Sequence, residues 1–387
     1  MKCVRCGHES NYSDRANKKC PKCKGAFAFE PKAGDPFTDV AFQSAIDAVS
    51  AKGQVRWGAE HLYYELARRQ RAKFGCAIVA MIVFAVIALI TLLRAGFFAL
   101  APALIVVALA LFVWRGKRNP FVKLEQKRFD TLFKTWRQAH GQPKGLIVRA
   151  MTRGTPAPQR ALEADIADYS FDHAVICDRA RTADLLLANN FHFENNCAVL
   201  SVDGYPEAQF ETVRAMLKRN PRLRVFALHD ATPKGCRLAH TLASDSAWFA
   251  GQATVIDVGL RPRQARAFRG LFLPPGAARA QAGSGVSASD SAWLSAQALE
   301  LAVIRPEQVL KRLYKAMTRE DSSGDGGGSG EVSGSSSSGG GSDSSTTDAG
   351  FAGGGGTSGD SGASVRYDDS SFAHEAGDTE SDSDGFG

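Results

Sequence analysis

The sequence predicts a multidomain α/β membrane protein, and three features of the chain indicate that fold class. Two cysteine pairs near the amino terminus predict a small metal-binding module. Two uncharged apolar runs within residues 74–114 predict a pair of transmembrane helices. Short apolar runs that alternate with helical patterns across residues 145–275 predict a parallel sheet. A chain of 387 residues is long enough for two or three domains.

The first element covers residues 1–30. Its four cysteines form two C-x2-C pairs, Cys3 with Cys6 and Cys20 with Cys23. Four thiolates at this spacing can converge tetrahedrally on one Zn²⁺ ion, and four protein ligands close the site, which predicts a structural role. Gly7 and Gly25 lie beside the pairs, where tight turns favour small residues. The stretch resembles the zinc-ribbon family, whose members contact proteins and nucleic acids alike.

Residues 36–72 show two helical patterns with a break at residues 52–54. The simplest prediction is a helical juxtamembrane segment. The sequence LYYEL at residues 62–66 also resembles the winged-helix segment that precedes some Toprim domains. That resemblance implies a nucleic-acid-cleaving tyrosine, for which Tyr63 and Tyr64 are the two positions that match. Both interpretations stay open at this stage.

The apolar runs at residues 74–93 and 97–114 are each about long enough to cross a hydrocarbon core of roughly 30 Å as a helix. The short link between them predicts a transmembrane hairpin. Basic residues flank the outer ends, which predicts an integral protein of the inner or plasma membrane with both termini in the cytoplasm. The alternative is a buried pair of core helices, although core helices usually have a polar stripe that these runs lack.

Residues 119–143 follow as a basic amphipathic helix. A helix of this kind that leaves a bilayer is expected to lie on the membrane surface or to pack on the next domain.

Residues 145–275 alternate strand and helix, and four strands are predicted, at residues 174–177, 198–202, 225–229 and 254–258. Such βαβ units predict a parallel, Rossmann-like sheet with right-handed crossovers. Ligands of such sheets bind at the carboxyl ends of the strands. The residues predicted there include Asp178, Asp203 and Asp230.

This arrangement resembles the Toprim fold of topoisomerases, primases and related nucleases. Asp178 matches the first acid, Gly204 matches the glycine after the second strand, and residues 230–235 match D-x-D-x-x-G, except that Thr232 replaces the second aspartate. The resemblance implies a Mg²⁺ site for phosphoryl transfer in which Asp178, Asp203 and Asp230 are the candidate catalytic residues. The missing carboxylate favours a degenerate, non-catalytic copy of the domain.

Cysteine and histidine residues near the same strand ends permit a second catalytic hypothesis. Cys177 and His229 end different strands and could form a nucleophile–base pair, with Cys236 and His240 nearby in the sequence. The structural alternative is that the cysteine is a small core residue and the histidine is simply hydrogen-bonded.

Residues 276–319 predict a helical extension, and residues 320–387 a disordered tail of Gly, Ser, Thr and Asp. Fourteen acids and one base give the tail a net charge of −13. The net charge of the whole chain is +7, so the rest of the chain carries +20. The basic body suits anionic lipid or nucleic acid, and the tail is expected either to compete with such partners or to act only as a solubilising bristle.

Two cysteine pairs with four scattered cysteines indicate a reducing compartment.

Two functions follow from these predictions. The first is a membrane-anchored cytosolic scaffold or regulatory protein that displays a zinc ribbon and a non-catalytic Toprim-like domain. The alternative is a membrane-tethered, Mg-dependent Toprim-related nucleic-acid enzyme. The partners expected are the lipid bilayer and a nucleic acid or protein bound through the ribbon or the basic body.

Overall fold

The computed structural model describes residues 1–71, 119–148, 171–207, 210–220, 222–276, 282–283, 285–324 and 365–367. The predicted hairpin at residues 74–114 and most of the acidic tail lie outside the described residues. The helices are α1 (Asp39–Val49), α2 (59–71), α3 (Gln126–His140), α4 (Ala180–Ala188), α5 (Phe191–Glu194), α6 (Phe210–Arg219), α7 (Leu238–Ser244), α8 (Pro262–Ala265), α9 (Ala288–Ala296) and α10 (Pro306–Gly324). The strands are β1 (His173–Cys177), β2 (Cys197–Ser201), β3 (Arg224–Leu228), β4 (Thr254–Asp257) and β5 (Val365–Tyr367).

The five strands form one parallel sheet in the order β2-β1-β3-β4-β5. The predicted parallel sheet is therefore confirmed, and β1 to β4 lie within one residue of the predicted strands. The fifth strand comes from the tail and was not predicted.

Both faces of the sheet are covered, which explains why its strands are continuous apolar runs. Along β1, Ala174 and Ile176 lie in one apolar cluster with residues of α7, whereas Val175 and Cys177 lie in the other with residues of α4. The alternation of side chains along a strand thus supplies the cores of two layers.

The amino-terminal helices pack against the second of these cores. Thr38 begins α1 by accepting a hydrogen bond from the Ala41 N–H at 3.2 Å. The buried face of α1 meets that of α3, where the rings of Phe42 and Trp136 stack with centroids 4.7 Å apart. The apolar face of the basic helix α3 is therefore buried within the protein.

The prediction of a fold class with transmembrane helices is contradicted by the described helices, none of which is long and apolar enough to cross a bilayer. The longest described helix, α10, has 19 residues, but it is amphipathic, and Glu307 and Lys311 form an ion pair on its surface. A span needs about 20 predominantly apolar residues. The same finding contradicts the predicted localisation as an integral protein of the inner or plasma membrane.

Candidate functional site

The four cysteines of the amino-terminal pairs form one cluster, in which all sulfur atoms lie within 4.8 Å of one another. The Sγ atoms of Cys3 and Cys23 are 3.7 Å apart, and so are those of Cys6 and Cys20. Each close contact joins the first pair to the second. Of the His, Cys, Asp and Glu side chains in the described residues, these four meet this distance criterion. The cluster can hold a metal ion.

Two turns of matching geometry present the cysteines. The Gly7 N–H donates to the Cys3 carbonyl at 2.9 Å, and the Lys24 N–H donates to the Cys20 carbonyl at 2.9 Å. Both donors occupy the left-handed region, with φ of 70° at Gly7 and 58° at Lys24. Glycine adopts this conformation without steric cost, whereas the second turn places a lysine there.

Gly25, which the sequence suggested as a turn residue, has a different role. A Cβ atom at this position would lie 2.9 Å from Cδ of Arg5 and 3.3 Å from Sγ of Cys23. The glycine therefore permits the close approach of the two cysteine turns. Arg5 also reaches α3, where its guanidinium donates to the Ala139 carbonyl at 2.9 Å.

A buried carboxylate joins the cysteine module to the helices. Asp39, at the start of α1, is fully buried. Its two oxygens accept hydrogen bonds from the N–H groups of Ala28 and Phe29 at 2.9 and 2.8 Å, and His140 Nε2 lies 2.7 Å from Oδ2. One side chain thus connects the end of the module, α1 and α3.

Asp178 and Asp230 follow the neighbouring strands β1 and β3, and the structure brings them into contact. The Asp230 N–H donates to Asp178 Oδ2 at 3.0 Å, and both residues are buried. The carboxylate of Asp230 has donors of its own. Oδ1 accepts from the Leu301 N–H at 2.6 Å, and Oδ2 lies 2.8 Å from Nε of Arg179.

Asp203, the third candidate, is exposed and apart from this pair. Its carboxylate contacts Nζ of Lys234 at 3.2 Å. Asp178, Asp203 and Asp230 therefore have three different sets of partners, and they do not form a cluster within metal-binding distance among the described residues.

Burial determines the titration of the contacting pair. Burial raises the pKa of Asp178, against the lowering effect of the Asp230 N–H. Burial and then the charge of Asp178 raise the pKa of Asp230 to about 7, although Arg179 and Arg181 oppose that shift. Asp178 Oδ1 is buried with no hydrogen-bond partner. Each shift favours the neutral form of its carboxyl group, although both oxygens of Asp230 also accept a hydrogen bond or contact a cation.

Two arginines and a glutamate complete this edge of the sheet. Arg181 contacts Glu300 Oε1 at 2.6 Å, and Arg179 contacts the same oxygen at 3.0 Å. The carboxylates of Asp230 and Glu300 are thus bridged by the same cations. Sequence reasoning missed Glu300, which no motif marks. Arg179 and Arg181 carried a local signal, because they stand one and three residues after Asp178.

The loop after β3 contains the residues matched to the Toprim motif. Thr232, which stands where the motif has its second aspartate, accepts a hydrogen bond from the Gly235 N–H at 3.0 Å. A Cβ atom at Gly235 would clash with the Asp230 carbonyl oxygen. Gly204 occupies a turn after β2 with φ of 83°. The threonine and the glycines thus support loop geometry.

The hydroxyls of Tyr63 and Tyr64 both have acceptors within the protein. Tyr63 donates to the Leu124 carbonyl at 2.8 Å, and Tyr64 donates to Glu300 Oε2 at 3.3 Å. Burial raises the pKa of Tyr63 to about 12 and that of Tyr64 well above its usual value. Neither phenol is poised to ionise as a nucleophile would need.

His229 is fully buried and faces an acceptor at each ring nitrogen. Nε2 lies 3.0 Å from Asp257 Oδ1, and Nδ1 lies 2.8 Å from the Asp230 carbonyl oxygen. Burial lowers the pKa of His229, but the Asp257 carboxylate outweighs it, so the net shift is upward. Asp257 also contacts Arg261, whose Nε lies 2.9 Å from Oδ2. Each acceptor favours a proton on the ring nitrogen that faces it, so this arrangement favours the imidazolium form of His229.

This arrangement does not favour the cysteine–histidine hypothesis, because the imidazolium form of His229 cannot accept a proton from Cys177. Cys177 is fully buried, and burial raises the pKa of its thiol well above the usual value. Burial likewise raises the pKa of Cys236. His240 lies on α7, where its Nδ1 is 3.4 Å from Ser244 Oγ.

Comparison of the chain with models of protein families, with curated proteins and with solved structures finds no match.

Proposed function

We propose that this protein is a non-catalytic scaffold or regulatory protein that displays a structural zinc ribbon fixed to a Toprim-like α/β body. The observation that carries this proposal is that both carboxylate oxygens of Asp230 already have donors. Its oxygens are taken by the Leu301 N–H and by Arg179, so the carboxylate has donors where a catalytic metal would need free lone pairs.

The distances between the cysteines support zinc as the metal. A regular tetrahedron with zinc–sulfur bonds of about 2.3 Å has sulfur atoms about 3.8 Å apart. The two contacts of 3.7 Å agree with that edge. Four thiolates leave no open position, so the ion would stabilise the module without activating a substrate.

Electrostatics at the carboxyl edge argue against Mg²⁺. Arg179 and Arg181 already neutralise Asp230 and Glu300, and two fixed cations repel a third. Asp203 is turned to Lys234 in solvent. A Mg²⁺ site needs carboxylate oxygens that converge on one point, and these acids do not supply them.

The surface of the ribbon supports an acidic partner, either a nucleic acid or a protein. Its exposed basic side chains are Lys2, Arg5, Lys18, Lys19, Lys22 and Lys24, whereas its exposed acids are Glu9 and Asp14. The salt dependence of partner binding would distinguish this surface from an ordinary solvated one, because contacts with a polyanion release counterions.

The test of the proposal uses the full-length chain. Titration with Mg²⁺ and Mn²⁺ by calorimetry is combined with incubation of the protein with single- and double-stranded DNA and RNA. We expect no saturable divalent-ion binding at the sheet and no cleavage above that of the Asp230→Asn variant. Cleavage that needs divalent metal and is lost in Asp230→Asn would overturn the proposal in favour of a Toprim-related enzyme.

A further inference from the structure

The fifth strand of the sheet comes from the acidic tail. β5 pairs in parallel with β4, with Val255, Ile256 and Asp257 opposite Val365, Arg366 and Tyr367. Forty residues, 325–364, separate β5 from the end of α10 in sequence. The segment combines a β-branched and an aromatic residue, which favour strands, within a tail that is mostly Gly, Ser and Asp.

Without β5, β4 would be the outer strand of the sheet. The three β4 residues in this ladder are buried, and β4 pairs on its other side with β3. An outer strand of this kind presents unpaired N–H and C=O groups, which form a template for an extended segment. The structure shows that this edge accepts one, because β5 occupies it.

The docked segment is short, and its pairing is correspondingly weak. Three residues form only a few hydrogen bonds, each worth about 0.5–1.5 kcal/mol net. Covalent connection through residues 325–364 offsets this weakness, because a tether raises the local concentration of the segment to the order of 1 mM. A free segment with the same pairing must compete against that concentration.

We propose that the outer edge of β4 is a docking site for an extended peptide, and that residues 365–367 are its resident occupant and tethered competitor. The chemistry of the partner peptide follows from that of the occupant. The partner is an extended segment that pairs in parallel with β4 and alternates apolar and polar residues, such as Val-Arg-Tyr, within an acidic Gly- and Ser-rich sequence. This proposal does not depend on whether the carboxyl edge is catalytic.

The test compares the full-length chain with full-length variants in which β5 cannot pair. Proline lacks the N–H donor of a ladder, so one variant has Val365→Pro with Tyr367→Pro and a second has Arg366→Pro. Two variants are needed because alternate residues of the strand donate toward β4. Ser358→Pro, in the same tail but outside β5, is the matched control.

The probe is a fluorescent peptide that spans residues 362–369, GASVRYDD, read by anisotropy. We expect it to bind at least one β5 variant about tenfold more tightly than the wild-type and control chains, because the tethered competitor is removed. A peptide with prolines at positions 365 and 367 should not bind. Equal affinity for all chains, including no binding to any of them, would overturn the proposal.

Hydrogen exchange of the backbone provides a second readout. The segment Val255–Asp257 should lose protection in the β5 variant that frees the peptide site, and it should regain protection when the peptide is added. Protection that is the same in the wild type and in both β5 variants would show that β5 does not occupy the edge, and this result would also overturn the proposal.

Discussion

The cysteine cluster and the carboxyl edge of the sheet both gather groups that commonly bind metal, yet their surroundings differ. In the cluster, Cys3 faces Cys23 and Cys6 faces Cys20 at 3.7 Å. At the sheet edge, Asp230 faces the Leu301 N–H and Arg179 instead of another free ligand.

The difference shows what separates a site from a collection of suitable residues. A potential ligand is available only where its lone pairs lack other donors. The four sulfur atoms lie within 4.8 Å of one another, so one cation placed among them could be bound by all four. The Asp230 carboxylate already has donors, so a cation bound there would need to displace a salt bridge and a backbone hydrogen bond. Four predictions, in order of expected size, test this contrast.

The largest effect is expected from Cys20→Ser. Loss of one thiolate opens the tetrahedral set, and the apparent binding free energy of structural zinc in small modules is about 10 kcal/mol or more. Zinc content should fall from one ion per chain to none, and limited proteolysis should cut within residues 1–30. Cys197→Ala, in β2, is the control and should keep its zinc. Retention of zinc by Cys20→Ser would refute the assignment.

Asp230→Ala should destabilise the protein by about 3 kcal/mol, because it leaves the buried Leu301 N–H and Arg179 without their acceptor. Asp230→Asn, which preserves the acceptor at Oδ1, should cost less. Denaturant unfolding measures both changes. If the free energy of unfolding is unaffected by Asp230→Ala, the carboxylate has no structural role and the catalytic hypothesis gains support.

His229→Gln should lower stability by about 2 kcal/mol at pH 6 and remove part of its pH dependence. The folded pKa of His229 is raised, so its contribution is fully present below the unfolded pKa of about 6.5 and is lost as pH rises through the folded pKa. The difference in unfolding free energy between the wild type and His229→Gln should therefore shrink as the pH rises through the folded pKa. Parallel pH profiles of unfolding free energy would contradict an imidazolium at this position.

The smallest effect is expected from Asp203→Asn. The Lys234 contact is solvent-exposed, and exposed pairs contribute little, so the free energy of unfolding should change by less than about 0.5 kcal/mol. Metal content should not change either. This variant is to be compared with Asp230→Asn. If the two carboxylates shared a catalytic metal, Asp203→Asn and Asp230→Asn would abolish the same activity.

Much of the fold could be predicted from the sequence where the signal is local. The spacing of Cys3, Cys6, Cys20 and Cys23 indicated the cluster, and runs such as the one at residues 174–177 marked β1 to β4. These predictions were correct because a turn that presents a cysteine pair and a buried strand are each specified by residues that are neighbours in the sequence.

The rest depended on contacts between residues far apart in the chain. Glu300 meets Arg179 across more than a hundred residues, and no pattern at either position announces the pair. β5 escaped prediction because three residues in a Gly- and Ser-rich tail give too short a period to recognise. The membrane fold class was predicted from the apolar composition of residues 74–114, and the described helices do not support it.

Equilibrium dialysis of the full-length protein against Zn²⁺ and Mn²⁺, followed by elemental analysis, tests the central claim most directly. We predict one tightly held zinc ion that is lost in Cys20→Ser, and no bound manganese that depends on Asp230. A manganese ion bound to the wild type and lost in Asp230→Asn would contradict the account, because it would show that the carboxyl edge of the sheet is a metal site after all.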